Sequence, residues 1–204
     1  ILDPIEIIDK YGLDPLRYYL IKEVSFGNDG NISQQKLENC INSDLANNYG
    51  NLCQRVISFI DKNLDLKTPN QFKFNSDDLK VLDEFKINFE KLVQSIDNQN
   101  INFYVNFIQD QLFTANKYFN DQEPWKKKSD KDRLNTILYT SLELIRKISI
   151  MLYPIIPDTS LKVLGIFNIS ENDVDFNSIK NNEILKTNNK LNNSFAVLDN
   201  FKKV

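Results

Sequence analysis

Histidine is absent from all 204 residues of the chain. This absence removes the commonest general base and the commonest metal ligand, together with every catalytic triad that depends on imidazole. The sequence also contains no Gly-rich phosphate loop, no set of metal ligands and no nucleophile with a base beside it. It therefore predicts neither catalytic residues nor a metal site in this chain.

Cysteine, glycine and proline are scarce. The two cysteines, Cys40 and Cys53, are too few for a disulfide scaffold and too far apart for a metal-binding knuckle, so we expect two buried cytosolic thiols. Only 5 Gly and 6 Pro are present, which favours long helices. The longest uncharged apolar run, 148–156, is interrupted by Pro154 and falls far short of the roughly 20 residues that span a bilayer. We expect no membrane segment.

Charge of neither sign dominates. The net charge of -3 gives no overall attraction to nucleic acid, so an RNA site would have to be a local patch. Hydrophobic residues at 41% and charged residues at 26% are typical of a soluble globular protein. The chain has no initiator methionine, no basic leader and no small-residue cleavage site, and we expect it to be a fragment that opens inside a longer protein.

Capping residues predict two short helices at the N terminus. Asp3, followed by a proline, predicts the start of the first helix, and Gly12 predicts its end. Asp14, again followed by a proline, predicts the cap of the second helix. After a stretch rich in Gly, Asn and Asp, Ser33 predicts the cap of a third helix.

Longer amphipathic helices follow. Apolar residues recur at three- and four-residue spacing over 34–64, 79–96, 101–119 and 134–152, and a last short helix is predicted from Pro157 to Phe167. Helices of this kind bury their apolar faces against one another, so we predict an all-α fold, an antiparallel helical bundle with a short helical connector before it. The predicted domains are the connector at 1–33, the bundle at 34–170 and the C-terminal tail at 171–204.

A polar stripe lies opposite the apolar face of the first long helix. Its residues recur at spacings of four, three and four, so they share one helix face; they are Asp44, Asn48, Asn51 and Arg55. Such a stripe is ordinarily a solvated surface. Amide and guanidinium groups also form a planar set of donors and acceptors that suits the edge of a base. The residues alone leave both interpretations open.

The only tryptophan, Trp125, stands between Pro124 and three lysines at a predicted helix break. An aromatic ring beside cationic groups is typical of proteins that bind single-stranded RNA, because a base stacks on the ring while lysines hold phosphates. A half-buried tryptophan at a bundle end, beside solvated lysines, would have the same sequence. The nearby carboxylates have a spacing that suits capping of the next helix better than acid–base chemistry; they are Glu123, Asp130 and Asp132.

Four stretches resemble one known family. They are 3–20 (DPIEIIDKYGLDPLRYYL), 24–33 (VSFGNDGNIS), 48–55 (NYGNLCQR) and 123–125 (EPW). Together they resemble the segment that follows the KMSKS loop in methionyl-tRNA synthetases, and the likeness extends with decreasing clarity to Phe167. Related class I synthetases share the helical anticodon domain. The combination of Phe-Gly-Asn-Asp-Gly, Asn-Leu-x-x-Arg and Pro-Trp favours methionine.

The resemblance implies a site that recognises the CAU anticodon of tRNA(Met), chiefly its first base. The cytosine is expected to stack on Trp125 while Arg55 donates to its O2 and N3 acceptors, and Asn51 completes the edge or braces the arginine. The residues expected to bind the anticodon are Asn48, Asn51, Arg55, Pro124 and Trp125, and those expected to contact phosphates are Lys126, Lys127 and Lys128.

The resemblance also implies what a full-length protein does. Members of the family attach methionine to tRNA(Met) with ATP and Mg, but their HIGH and KMSKS sequences and zinc-bearing insertion are missing here. We therefore expect no cofactor in this chain, an N-terminal catalytic domain and tRNA(Met) as its partners, and a cytoplasmic monomer. Residues 1–33 are expected to pack under that catalytic domain. Two alternatives remain: the anticodon domain of another class I synthetase, and a non-catalytic helical interaction module.

Overall fold

Nine α-helices and one π-helical segment build the part of the chain that the computed structural model describes, residues 3–24, 30, 32–71 and 73–192. The α-helices are α1 (Pro4–Tyr11), α2 (Leu13–Glu23), α3 (Gln34–Cys40), α4 (Asn51–Leu64), α5 (Ser76–Ile87), α6 (Phe89–Asp97), α7 (Ile101–Gln122), α8 (Lys131–Leu152) and α9 (Pro157–Ile166). The π segment, Ile41–Gly50, joins α3 directly to α4. Within the described ranges the sole extended pairing is one isolated bridge between Lys67 and Lys190, which confirms the all-α prediction.

The two N-terminal helices begin and end mostly as predicted. The Asp3 carboxylate accepts from the Ile5 amide at 2.8 Å and caps α1. Gly12 ends α1 with φ of 90°, a conformation that side chains rarely adopt. Asp14, however, does not cap its own helix: it lies inside α2, and its Oδ2 accepts from Thr159 N at 2.7 Å. That prediction was wrong because α9 packs beside α2, and the carboxylate caps α9, whose own N-cap residue provides no side-chain bond.

The segment predicted as one α-helix over 34–64 is continuous but changes type. Ser33 caps its start as predicted, with Oγ accepting from Lys36 N at 3.2 Å. Over Ile41–Gly50 the backbone widens to π geometry, which is rare and often marks functional positions. The second predicted helix is likewise two, because α5 and α6 meet at Asn88, whose Nδ2 donates to Glu84 O at 2.9 Å.

Helix α8 forms the centre of the bundle and contacts α4, α5, α7 and α9. It is antiparallel to α7: Tyr104 donates to Met151 O at 2.7 Å at one end, and Arg133 bonds Gln122 at 2.6 Å at the other. Asp130 caps α8 as predicted, its Oδ1 accepting from Arg133 N at 3.1 Å. No helix in the described ranges is long and apolar enough to cross a membrane.

Residues after α9 pack on α8 through buried charges. Glu143 and Arg146 are fully buried and paired at 2.7 Å. Glu143 Oε1 accepts from Ile184 N and Leu185 N, and Arg146 donates to Ser178 O. Buried charges are tolerated where they are paired and hydrogen-bonded, as these are. The polar groups of α8 thereby hold this part of the tail on the bundle.

Both cysteines are buried free thiols, as predicted. Burial, together with the nearby Asp44 charge, raises the pKa of the Cys40 thiol to about 12. Burial also raises the pKa of Cys53 above its ordinary value. Each thiol therefore remains protonated in the fold and behaves as a small apolar side chain.

Candidate nucleic-acid interface

The break between α7 and α8 displays a tryptophan. α7 ends at Gln122 because Glu123 adopts a left-handed conformation, with φ of 44°, ahead of Pro124. The short 3₁₀ turn Pro124–Lys126 follows. Pro124 is buried in this turn, whereas Trp125 keeps 42% of its surface exposed. The proline thus anchors the turn, and the ring faces solvent at the end of the bundle.

Phe119 of α7 connects Trp125 to Arg55. Its buried ring meets the indole edge to face, with centroids 6.2 Å apart and planes at 69°. The Arg55 guanidinium of α4 lies over the same ring, with Cζ 5.2 Å from its centroid. Edge-to-face aromatic pairs and cation–π contacts are each attractive. Trp125 and Arg55, which are distant in sequence, therefore both contact the Phe119 ring on one side of the bundle.

Asn120 fixes the plane of the Arg55 guanidinium. Arg55 Nη2 donates to Asn120 Oδ1 at 2.5 Å, and the pair is exposed. A guanidinium carries five N–H donors in a rigid fork, so one bond orients the group without exhausting its capacity. Asn120 therefore braces Arg55, which is one of the two roles that the resemblance implied for Asn51.

The predicted polar stripe on the first long helix is only partly present. Asn51 is exposed at the first position of α4, one turn before Arg55. Asn48 is half-buried, and its carbonyl accepts from Asn116 Nδ2 at 3.1 Å. Asp44 is buried against α2, with 6% of its surface exposed. Its placement on this face was wrong, because residues in a π turn advance by a smaller angle than the α-helical spacing assumes.

The three lysines after the tryptophan have different surroundings. Lys126 pairs with Glu123 at 2.7 Å, and both side chains are largely exposed, so the pair is weak and breakable. Lys128 Nζ lies 6.0 Å from the Phe59 ring centroid on α4. Lys127 is exposed. The three lysines follow Trp125 in the sequence and are exposed, and each has different neighbours.

Two residues of this surface, Phe119 and Asn120, are not predicted by any sequence motif. Phe119 is the last residue of the apolar spacing over 101–119, which indicates only that it is buried, and no pattern marks Asn120. The available signal was position: both stand one turn before the Glu-Pro-Trp break, where a helix end presents its last side chains beside the turn. Which neighbour they would meet depends on how α4 packs against α7.

Nothing in the described ranges suggests a metal centre, since no group of three or more His, Cys, Asp or Glu side chains converges there. The surface offers an aromatic ring, a braced guanidinium, exposed amides and lysines. This set suits stacking and edge recognition of a base.

Comparison with known proteins defines the class first. Residues 1–57 match the family model described as tRNA synthetases class I (M). Residues 68–204 match the model described as the anticodon binding domain of methionyl tRNA ligase. The helical bundle is thus the anticodon-binding type found in class I synthetases. More narrowly, the chain belongs to the methionyl-tRNA ligase family.

Individual proteins similar to this chain belong to the same family as the two family models. The chain is 39% identical over 170 residues to the methionine–tRNA ligase of Brucella suis, covering 83% of the chain and 33% of that protein. It is 34% identical over 184 residues to that of Mycobacterium tuberculosis strain H37Rv, covering 88% and 36%. The solved apo structure of Mycobacterium tuberculosis methionyl-tRNA synthetase superimposes with a TM-score of 0.90 at 31% identity, covering 100% of this chain and 41% of that one. The chain therefore spans about a third of its curated relatives.

Proposed function

We propose that this chain reads the CAU anticodon of tRNA(Met). The observation that carries the proposal is the convergence of an exposed Trp125 and a braced Arg55 on the Phe119 ring. One group offers a stacking face and the other offers directed donors, which are the two requirements for recognising an unstacked base. An ordinary solvated helix surface would need neither an exposed aromatic ring nor a braced guanidinium.

The first anticodon base is distinguished by its edge. Cytosine presents O2 and N3 as acceptors, which match the N–H donors of Arg55, whereas uracil has an N3–H donor at the same place. Asn120 holds the guanidinium in plane at 2.5 Å, and Asn51 lies one turn earlier on α4 to complete the contact. The indole of Trp125 stacks on either pyrimidine, so the specificity comes from the arginine.

Lysine side chains hold the phosphates next to the stacked base. Lys126 leaves Glu123 for a phosphate at little cost, because their ion pair is exposed. Lys127 and Lys128, which are exposed and close to Trp125 in the sequence, provide two further positive charges. Pro124 contributes by fixing the turn, since its burial leaves a base little surface to contact.

The full-length protein would be a methionine–tRNA ligase that uses ATP with Mg in the cytoplasm and acts as a monomer. The portion of its relatives that this chain does not span would supply the ATP and methionine sites. In this chain, residues 1–33 are proposed to form the connector to the catalytic domain, 34–170 the anticodon-binding bundle and 171–204 a tail. Its own task is to bind and orient the anticodon.

Replacing Trp125 tests the stacking role. Stacking one base on an aromatic ring contributes about 1–3 kcal/mol, so Trp125→Ala should weaken binding of an RNA stem-loop bearing CAU by roughly tenfold to a hundredfold. Phe113→Ala is the matched control, because Phe113 is also an exposed aromatic residue of α7, with 68% of its surface accessible. Binding is measured by fluorescence anisotropy. Equal losses in both variants would argue against a specific site at Trp125.

Replacing Arg55 tests the edge contact separately. Arg55→Gln should retain the fold, because the side chain lies on the surface of α4, but should remove the preference for CAU over UAU stem-loops. Competition between the two RNAs measures that preference. An unchanged preference would assign the discrimination to other residues.

A further inference from the structure

A buried carboxylate in the π segment connects the connector helices to the anticodon surface. Asp44 lies midway along Ile41–Gly50 and has 6% of its surface exposed. Its Oδ2 accepts from Tyr18 Oη at 3.0 Å and from Lys22 Nζ at 2.6 Å, and both donors belong to α2. Its Oδ1 accepts from Ser43 Oγ at 2.6 Å. Two of these three donors therefore come from α2, outside the helix that carries the carboxylate.

The same segment is also held by the bundle. Asn116 of α7 donates to the Asn48 carbonyl at 3.1 Å, and the hydroxyls of Tyr49 and Ser149 are 2.6 Å apart. Gln109, also on α7, donates to the Tyr18 hydroxyl. The π segment is thus bonded to α2, α7 and α8 at three successive places. Immediately after it, α4 begins with the residues proposed to face the anticodon.

The number of residues in the π segment determines the direction in which the side chains of α4 point. An α-helix advances by roughly 100° per residue, so moving one residue into or out of the wide turn rotates all later side chains by about that angle. Such a rotation would carry Arg55 away from Phe119 and Asn120. π turns insert an extra residue and are less favourable than α turns, so they persist where outside contacts hold them. Of the contacts that hold the π segment, the ion pair between Asp44 and Lys22 is the one between charged groups.

We propose that Asp44 is a positioning residue for base recognition: its bonds to α2 hold the π register that places Arg55 on the anticodon surface. The inference rests on the proposed function and adds a route by which the connector and that surface affect each other. Movement of α2 acts on the register through Tyr18 and Lys22, and a base bound at Arg55 acts back on α2 by the same bonds, since coupling between sites is reciprocal.

The test measures two properties of each variant: its preference for CAU over UAU stem-loops, and its stability to urea. Asp44→Asn keeps the side-chain size and removes the charge that holds Lys22, and Tyr18→Phe removes one hydroxyl donor. The matched control is Tyr104→Phe, which removes an equally buried hydroxyl bonded to Met151 O at 2.7 Å, away from the π segment. Each variant is assayed for its CAU over UAU preference and for its urea midpoint.

We expect Asp44→Asn and Tyr18→Phe to reduce the preference for CAU at least fivefold, while Tyr104→Phe loses stability and keeps the preference. Because Asp44 acts through Arg55, Asp44→Asn combined with Arg55→Gln should discriminate no worse than Arg55→Gln alone. If Asp44→Asn does not fold, Tyr18→Phe decides the question by itself.

Two outcomes overturn the inference and are distinguishable. If the unmodified chain prefers CAU and Arg55→Gln abolishes that preference, but Tyr18→Phe and Asp44→Asn retain it, then the π register is purely structural and the proposed function stands. If the unmodified chain shows no preference, the proposed function fails and this inference fails with it.

Discussion

Lys147 is an ionisable group inside the bundle, and its titration should be visible in the stability of the protein. It has no exposed surface, and its Nζ donates to Leu82 O at 3.1 Å and to Asn182 Oδ1 at 2.5 Å. Burial, with the neighbouring positive charge of Arg146, lowers its pKa from 10.5 to about 7. We expect the folded protein to release a proton near neutrality that the unfolded chain retains.

Proton linkage determines whether the free energy of unfolding rises or falls with pH. Between pH 7 and pH 10.5 the unfolded chain binds more protons than the folded one at Lys147, so the free energy of unfolding rises with pH in that window. The slope approaches about 1.4 kcal/mol per pH unit and flattens below pH 7, where both states are protonated. Over pH 6 to pH 9 the contribution of this lysine to the free energy of unfolding grows by about 3 kcal/mol.

The perturbation is Lys147→Met, which keeps an unbranched side chain and removes the ionisable group. Urea unfolding of both proteins at several pH values from 6 to 9 gives the difference in free energy, in which the buried thiols Cys40 and Cys53 cancel because both proteins contain them. The difference should change by about 3 kcal/mol in favour of the unmodified chain as pH rises from 6 to 9. Lys117→Met, at an exposed position of α7, should follow the unmodified chain. Parallel curves for the unmodified chain and Lys147→Met would refute the reasoning.

Two further outcomes are expected. Asp14→Ala should lower the free energy of unfolding by about 1 kcal/mol, because Thr159 N loses its cap, whereas Asp14→Asn keeps an acceptor oxygen and should cost less; urea midpoints compare them, and equal losses would contradict the capping role. Cys40 and Cys53 should react slowly with a thiol reagent in the folded protein and rapidly in denaturant, since burial raises the pKa of both thiols and blocks access. Rapid reaction of the native protein with the reagent would contradict the burial of the two thiols.

Local patterns in the sequence determined the helices and the family. Apolar spacing reflects which face of a helix is buried, and caps such as Asp3, Ser33 and Asp130 bond backbone groups within three residues, so neighbours along the chain are sufficient to predict them. The Asn-Leu-x-x-Arg and Pro-Trp motifs likewise identified Arg55 and Trp125 as candidates.

Packing decided the rest, because a side chain bonds whichever partner lies nearest in space. Asp14 has the sequence of a cap for its own helix and caps α9 instead. Asp44 has the spacing of a surface residue, but α2 supplies its donors and the π turn carries it inward. No residue pattern marks Asn120 as a partner of Arg55, and it braces Arg55 only because α7 contacts α4 at that point. Helical periodicity indicates which face of a single helix is buried. The contacts that form this surface join two different helices, so periodicity could not predict them.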